Sequence, residues 1–158
     1  MLRTLSPHAI AHAVRCTPDQ IRDWRRQGFL TDYGERLGKG YLYNEIDAVS
    51  ISLAVLLARI GMSAKNAFEI AHRYDWALHG LLVGADGMQN GEYVVTVSAD
   101  LDVPGEFTSV AVGSITRFAT SIVNKSRPMV IHIGLTTLVA SVLDRIKAFS
   151  NCAAGRAA

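Results

Sequence analysis

The first apolar pairs along the chain fall at helical spacing, Ile10 with Val14 and Ile21 with Trp24. Each pair follows a cap-then-proline signal, Ser6-Pro7 and Thr17-Pro18. A hydroxyl at the cap position accepts from an otherwise orphaned backbone N–H, and proline suits a first helical position whose own N–H has no partner. Gln20 stands where a capping box needs it, and Gly28 where a left-handed residue ends a helix. Two short capped helices joined through Arg15-Cys16 predict a helix-turn-helix, with Ile21 and Trp24 behind and Gln20, Arg22, Arg25 and Arg26 on the other sides. The stretch T-D-Y-G-E-R-L-G-K-G-Y-L-Y then reads as a β-hairpin wing with Arg36 and Lys39 near its tip. Asn44, backed by Glu45 and Asp47, starts a third helix carrying Val49, Leu53, Leu56, Leu57 and Ile60, and Gly61 stops it. Ser63 caps a fourth, which carries Ala67, Phe68, Ala71, Tyr74 and Leu78 and ends at Gly80.

Beyond Gly80 the pattern changes. Leu81 to Val83 and Tyr93 to Val97 read as strands joined by the turn A-D-G-M-Q-N-G. Ala99 to Thr108 reads as a polar loop, and Ile115, Phe118, Ala119, Ile122 and Val123 as a helix broken by Arg127-Pro128. Met129 to Ile133 reads as a buried strand. A last helix from Thr137 carries the stripe Val139, Val142, Leu143, Ile146 and Phe149, and the tail from Asn151 is expected to fray. The predicted fold class is α+β. A winged helix-turn-helix covers residues 1–80, a small α/β unit in ββαβα order covers 81–150, and a flexible tail covers 151–158.

Composition narrows the chemistry. With 158 residues, 49% of them hydrophobic, the chain can bury a core. The formal net charge is only +2, with 10 Lys and Arg against 8 Asp and Glu up to residue 80 and 6 against 6 after it. A nucleic-acid surface must therefore arise from local clustering. Two distant cysteines make no disulfide framework, Cys16 in the turn reads as a small buried hydrophobe, and neither a leader nor a membrane-length apolar run stands out. These features predict a cytoplasmic protein. His8 and His12 are four apart but lack a third ligand, so no metal site is assigned. G-E-R-L-G-K-G fails as a phosphate loop, since its glycines are too close and Gly40 stands where a hydroxyl is needed. No nucleophile–base constellation appears, so the expectation is a non-enzyme without a cofactor.

Several segments in register resemble the DNA-binding domain of the MerR family. They are Ile10-Ala11, I-R-D-W-R-R-Q-G-F-L, the wing ending L-Y-N-E-I-D, and L-A-R-I-G-M-S-A-K-N-A-F-E-I, spanning about Thr4 to His79. The resemblance implies a helix-turn-helix, a wing and a second helix pair in that order. Arg22 matches the family's DNA-contacting arginine in L-R-Y-Y, and Trp24 its second tyrosine. Asp23 departs from a backbone-contacting tyrosine, Arg25 from a usual acidic residue, and Tyr41 from the wing arginine of G-Y-R-L-Y. The implied function is a sequence-specific regulator of transcription that binds double-stranded DNA. Thr17, Gln20, Arg22, Arg25 and Arg26 are the candidate contacts on the helix, and Arg36, Lys39 and Tyr41 on the wing. The family's long dimerisation helix is missing after Gly80, so a homodimer is expected through the C-terminal half, which is also the place for a protein partner or small effector. The sequence leaves two alternatives open: a phage or mobile-element factor for excision or packaging, and an interaction module that no longer binds DNA.

Overall fold

A computed structural model describes residues 3–84, 92–99, 107–114 and 129–154. The fold is α+β, and its helices and two antiparallel sheets share a continuous apolar core. Helix α1 (Pro7–Val14) begins at Ser6, whose hydroxyl accepts from the Ala9 N–H. It ends at Arg15 in the left-handed conformation, φ 60°. A non-glycine residue there is uncommon, and it lets the chain turn within two residues into α2 (Pro18–Arg26). The Thr17–Gln20 capping box is present. Gly28 takes φ 83°, its N–H donating to the Arg25 carbonyl while the Phe29 N–H reaches Trp24. This pair of bonds is the Schellman closure expected of a C′ glycine.

The wing is a short hairpin of β1 (Glu35–Leu37) and β2 (Gly40–Leu42), with Arg36 opposite Tyr41. Beyond it, Tyr43 exchanges both backbone hydrogen bonds with Leu5, at 2.7 and 2.9 Å. The segment before α1 thus extends the hairpin. Helix α3 (Glu45–Arg59) starts from an Asn44–Asp47 capping box and is buried on more than one side, by Val49, Ser50, Ile51, Ser52, Leu53, Ala54 and Leu57. It is the central helix, packing against α1 and the helices that follow.

The expected fourth helix is two helices. α4 (Ala64–Arg73) ends at Tyr74, and α5 (Asp75–Val83) runs on from it. Gly80 lies buried inside α5, and Gly84, φ 67°, is the residue that ends it. Leu81 to Val83 are accordingly helical, not a strand. The central strand of the second sheet is β3 (Tyr93–Ala99), between β4 (Phe107–Ser114) and β5 (Met129–Gly134), all antiparallel. Strand β4 replaces the end of the expected polar loop, and Gly113 lies within it. The expected turn at 85–91 and the helix expected between Ile115 and Val123 lie outside the described residues.

Helix α6 (Leu135–Ala154) begins directly after β5, two residues before the expected Thr137, and includes Asn151 to Ala154 of the stretch expected to fray; the rest of that stretch lies outside the described residues. Its stripe is covered from within the chain: Val139, Val142 and Ile146 are buried, and Leu143 and Phe149 are packed against the same core. The cover comes chiefly from α1 and α3, with β3 also in contact. Among the described residues no helix is long and apolar enough to cross a membrane.

Candidate nucleic-acid interface

Helix geometry decides which side chains α2 can present. At about 100° per residue, Arg22, Arg26, Asp19 and Asp23 fall about 100–200° around the axis from Ile21, while Arg25 falls only about 40° away. Ile21 is buried, and Trp24 is half-buried with its ring edge-on to Phe68, 5.4 Å between centroids. Phe68 also stacks on Phe29, at 5.7 Å. This aromatic packing fixes the back of α2 against α4. Arg22 and Arg26 are on the opposite, exposed side, and each pairs with a carboxylate one turn earlier, Asp19 and Asp23 respectively. Exposed pairs of this kind contribute little and exchange partners readily.

Arg25 departs from the outward position expected for it. Its guanidinium donates to the carbonyl oxygens of Leu30 and Tyr33, the latter at 2.5 Å, and to the Tyr43 hydroxyl at 3.1 Å. It also lies 3.9 Å above the centre of the Tyr41 ring. Arg25 turns inward because residue 25 is one turn beyond Ile21 and shares its inward face. Arg25 therefore joins α2 to the wing, and Tyr41, expected as a wing contact, is half-buried beneath it. The signal was available in the i, i+4 relation to Ile21.

Thr17 and Gln20 are exposed, and their side-chain oxygens are engaged in the capping box. Arg36 and Lys39 are both exposed on the hairpin; Arg36 lies within β1, and Lys39 follows Gly38, φ 59°, at the tip. Between α2 and this tip runs a groove of about 420 Å³. Pro7 and Pro18, the first residues of α1 and α2, open onto it, together with His8 and four of the expected contacts, Arg22, Arg25, Lys39 and Tyr41. Helix N-termini carry partial positive charge and suit a phosphate oxygen. The meeting of two such termini at the wing escaped the sequence reading, because it depends on how α1 and α2 cross.

A second polar cluster joins α3, α4 and α5. Asp75 accepts from the Ser50 hydroxyl and pairs with His72 at 3.2 Å. Burial holds its carboxyl above the ordinary range, against the opposing effects of Ser50 and His72. Burial likewise raises Asp47, the acceptor of the α3 capping box. In the turn, Cys16 is half-buried and its thiol is pushed up to about 11, chiefly by desolvation. A thiol so shifted is a poor nucleophile at neutral pH.

No protein-family model matches this chain, and a search of curated proteins finds no match.

Proposed function

We propose that the chain binds double-stranded DNA, with α2 in the major groove and the wing on the flanking backbone, and that it acts as a MerR-like regulator of transcription. The observation that carries this reading is the groove between α2 and the wing tip, where two helix N-termini meet Arg22 and Lys39. An α-helix of this length fits the major groove, and an arginine bidentate to guanine contributes about 1–3 kcal/mol of discrimination. Arg22 and Arg26 are the base-reading candidates, and Arg36 and Lys39 the phosphate contacts. Arg25 and Tyr41 set the angle between helix and wing. A homodimer through the C-terminal half remains part of the proposal, since one short helix reads little sequence alone.

Mobility shift across a salt series tests it. Four cations per chain permit at most about four phosphate contacts, for which a fourfold rise in salt weakens binding roughly 10²-fold; two chains on one site give roughly 10⁴-fold. Negligible binding that is flat in salt overturns the reading. One observation favours a protein-interaction module instead: Asp19 and Asp23 neutralise the arginines of α2, and Leu37 on the wing is 65% exposed. Flat salt dependence is the result that module predicts.

A further inference from the structure

A different cavity, of about 400 Å³, lies where α1, α3 and α6 meet the end of β5. Three guanidinium groups line it, those of Arg15, Arg59 and Arg145. Among the described residues none of the three is within ion-pair distance of a carboxylate; Glu92 is the one acidic residue on the lining. Arg145 is oriented firmly, its Nε donating to the Ala13 carbonyl at 2.6 Å and a terminal nitrogen to the Ser141 hydroxyl at 2.9 Å. Burial, and then the neighbouring Arg15 charge, disfavour its protonated form. Arg145 is half-buried while Arg15 and Arg59 are exposed, so the three charges concentrate positive potential at the mouth of the cavity.

The second observation is independent of charge. Ser52, on α3, is only 4% exposed, lies on the wall of this cavity, and its hydroxyl has no hydrogen-bond partner. Buried hydroxyls are nearly always paired, and an unpaired one calls for an explanation. Beside it, Leu56 and Leu138 give the cavity an apolar wall. Ser52, its hydroxyl oxygen just beneath the surface, and three arginines line space of the size that small-molecule sites occupy.

We propose that this cavity binds a small organic anion, its carboxylate or phosphate held by Arg15, Arg59, Arg145 and the Ser52 hydroxyl and its apolar body against Leu56 and Leu138. The net positive lining selects the anion, and the leucines exclude preference for a bare inorganic ion. Such a ligand touches α1, α3 and α6 at once. The proposal does not depend on whether α2 binds DNA.

Calorimetric titration of the full chain with octanoate, octyl phosphate and octanol tests it. One or both anions should bind with one-to-one stoichiometry and raise the melting temperature, and the alcohol should bind at least about tenfold more weakly, since charge-assisted hydrogen bonds are the stronger kind. Which of the two anions binds more tightly tells a carboxylate site from a phosphate site. Ser52→Ala and Arg59→Gln should each weaken the preferred anion about tenfold. Ser52→Ala removes an unpaired group and should leave the unliganded protein as stable as before. Arg59 is exposed, so its variant keeps the test decisive if Ser52→Ala fails to fold. Equal binding of anion and alcohol, no binding of either at millimolar concentration, or anion affinity unchanged in Arg59→Gln would overturn the proposal.

Discussion

The two arginines three positions apart on α2 do different work. Arg22 is exposed and paired only with Asp19, whereas Arg25 holds two backbone carbonyls and the Tyr43 hydroxyl. Arg25→Ala should cost about 1–3 kcal/mol, because it strands buried acceptors, while Arg22→Ala should stay within about 0.5 kcal/mol. Urea denaturation of both variants checks this; equal losses would mean Arg25 is not a structural tie. Under the proposed function, DNA affinity should fall in Arg22→Ala without that loss of stability. Asp75 gives a pH signature of its own. Its folded pKa is raised by burial, with His72, Asp32 and Asp47 as its titratable neighbours, so the folded state takes up a proton before the unfolded one as pH falls. Asp75 therefore opposes folding above its raised pKa and stops opposing it as pH falls toward the unfolded value of about 3.9. Comparing denaturation midpoints of the native chain and Asp75→Asn at neutral pH and near the unfolded carboxylate value should show the native chain gaining on the variant at the lower pH. A gap that does not move with pH would assign Asp75 an ordinary titration.

At the scale of the element, the wing is held by its base more than by its own strands. Two three-residue strands make a marginal hairpin. Its anchors are the Leu5–Tyr43 bonds, the Arg25 guanidinium and Gly34, at φ 72°. A Cβ on Gly34 would sit 2.9 Å from both the Leu42 carbonyl oxygen and the Tyr43 ring. Neither can yield cheaply, since one is backbone and the other is buried. Gly34→Ala should destabilise the protein by about 1–3 kcal/mol through strain alone. Under the proposed function it should also weaken DNA binding through the displaced wing. By contrast Gly38→Ala meets no atom within 4 Å and tests the positive φ by itself. A smaller thermal shift for Gly38→Ala than for Gly34→Ala is expected; the reverse order would show that the close approach does not govern the site.

Across the whole molecule, the N-terminal and C-terminal parts share one core. Ile146 and Val142 of α6 are buried in the same cluster as Ile10, Val14 and Leu53. Arg145 binds the Ala13 carbonyl, and the Phe149 ring lies 5.3 Å from that of His12. Both tryptophans, Trp24 and Trp76, lie before residue 85, so their fluorescence reports the N-terminal part alone. Ile146→Ala should cost about 2–5 kcal/mol and should move that fluorescence transition as far as the helical circular-dichroism transition. A fluorescence transition that stays in place while helicity is lost would mean that the two parts unfold separately.

Local signals determined what depends on neighbours a few residues away. The caps at Ser6, Thr17, Asn44 and Ser63, the left-handed Gly28 and the strand at Met129 to Ile133 all formed where the sequence placed them, because each rests on contacts within one turn or one pleat. The outward Arg22 was legible in the same way. Tertiary structure decided the rest. Gly80 was read as a stop, yet it lies buried inside α5, because the helix around it is held by tertiary contacts that no local rule registers. Strand β4 carries glycine and serine among its residues, and its pairing with β3 outweighs weak propensity. The stripe of α6 announced burial without a partner. Whether α1, the sheet or a second chain would cover it depended on where residues more than a hundred positions apart meet, and the answer was α1 and α3 with β3 beside them. Periodicity fixes which face of a helix is apolar; only the assembled core determines what that face meets.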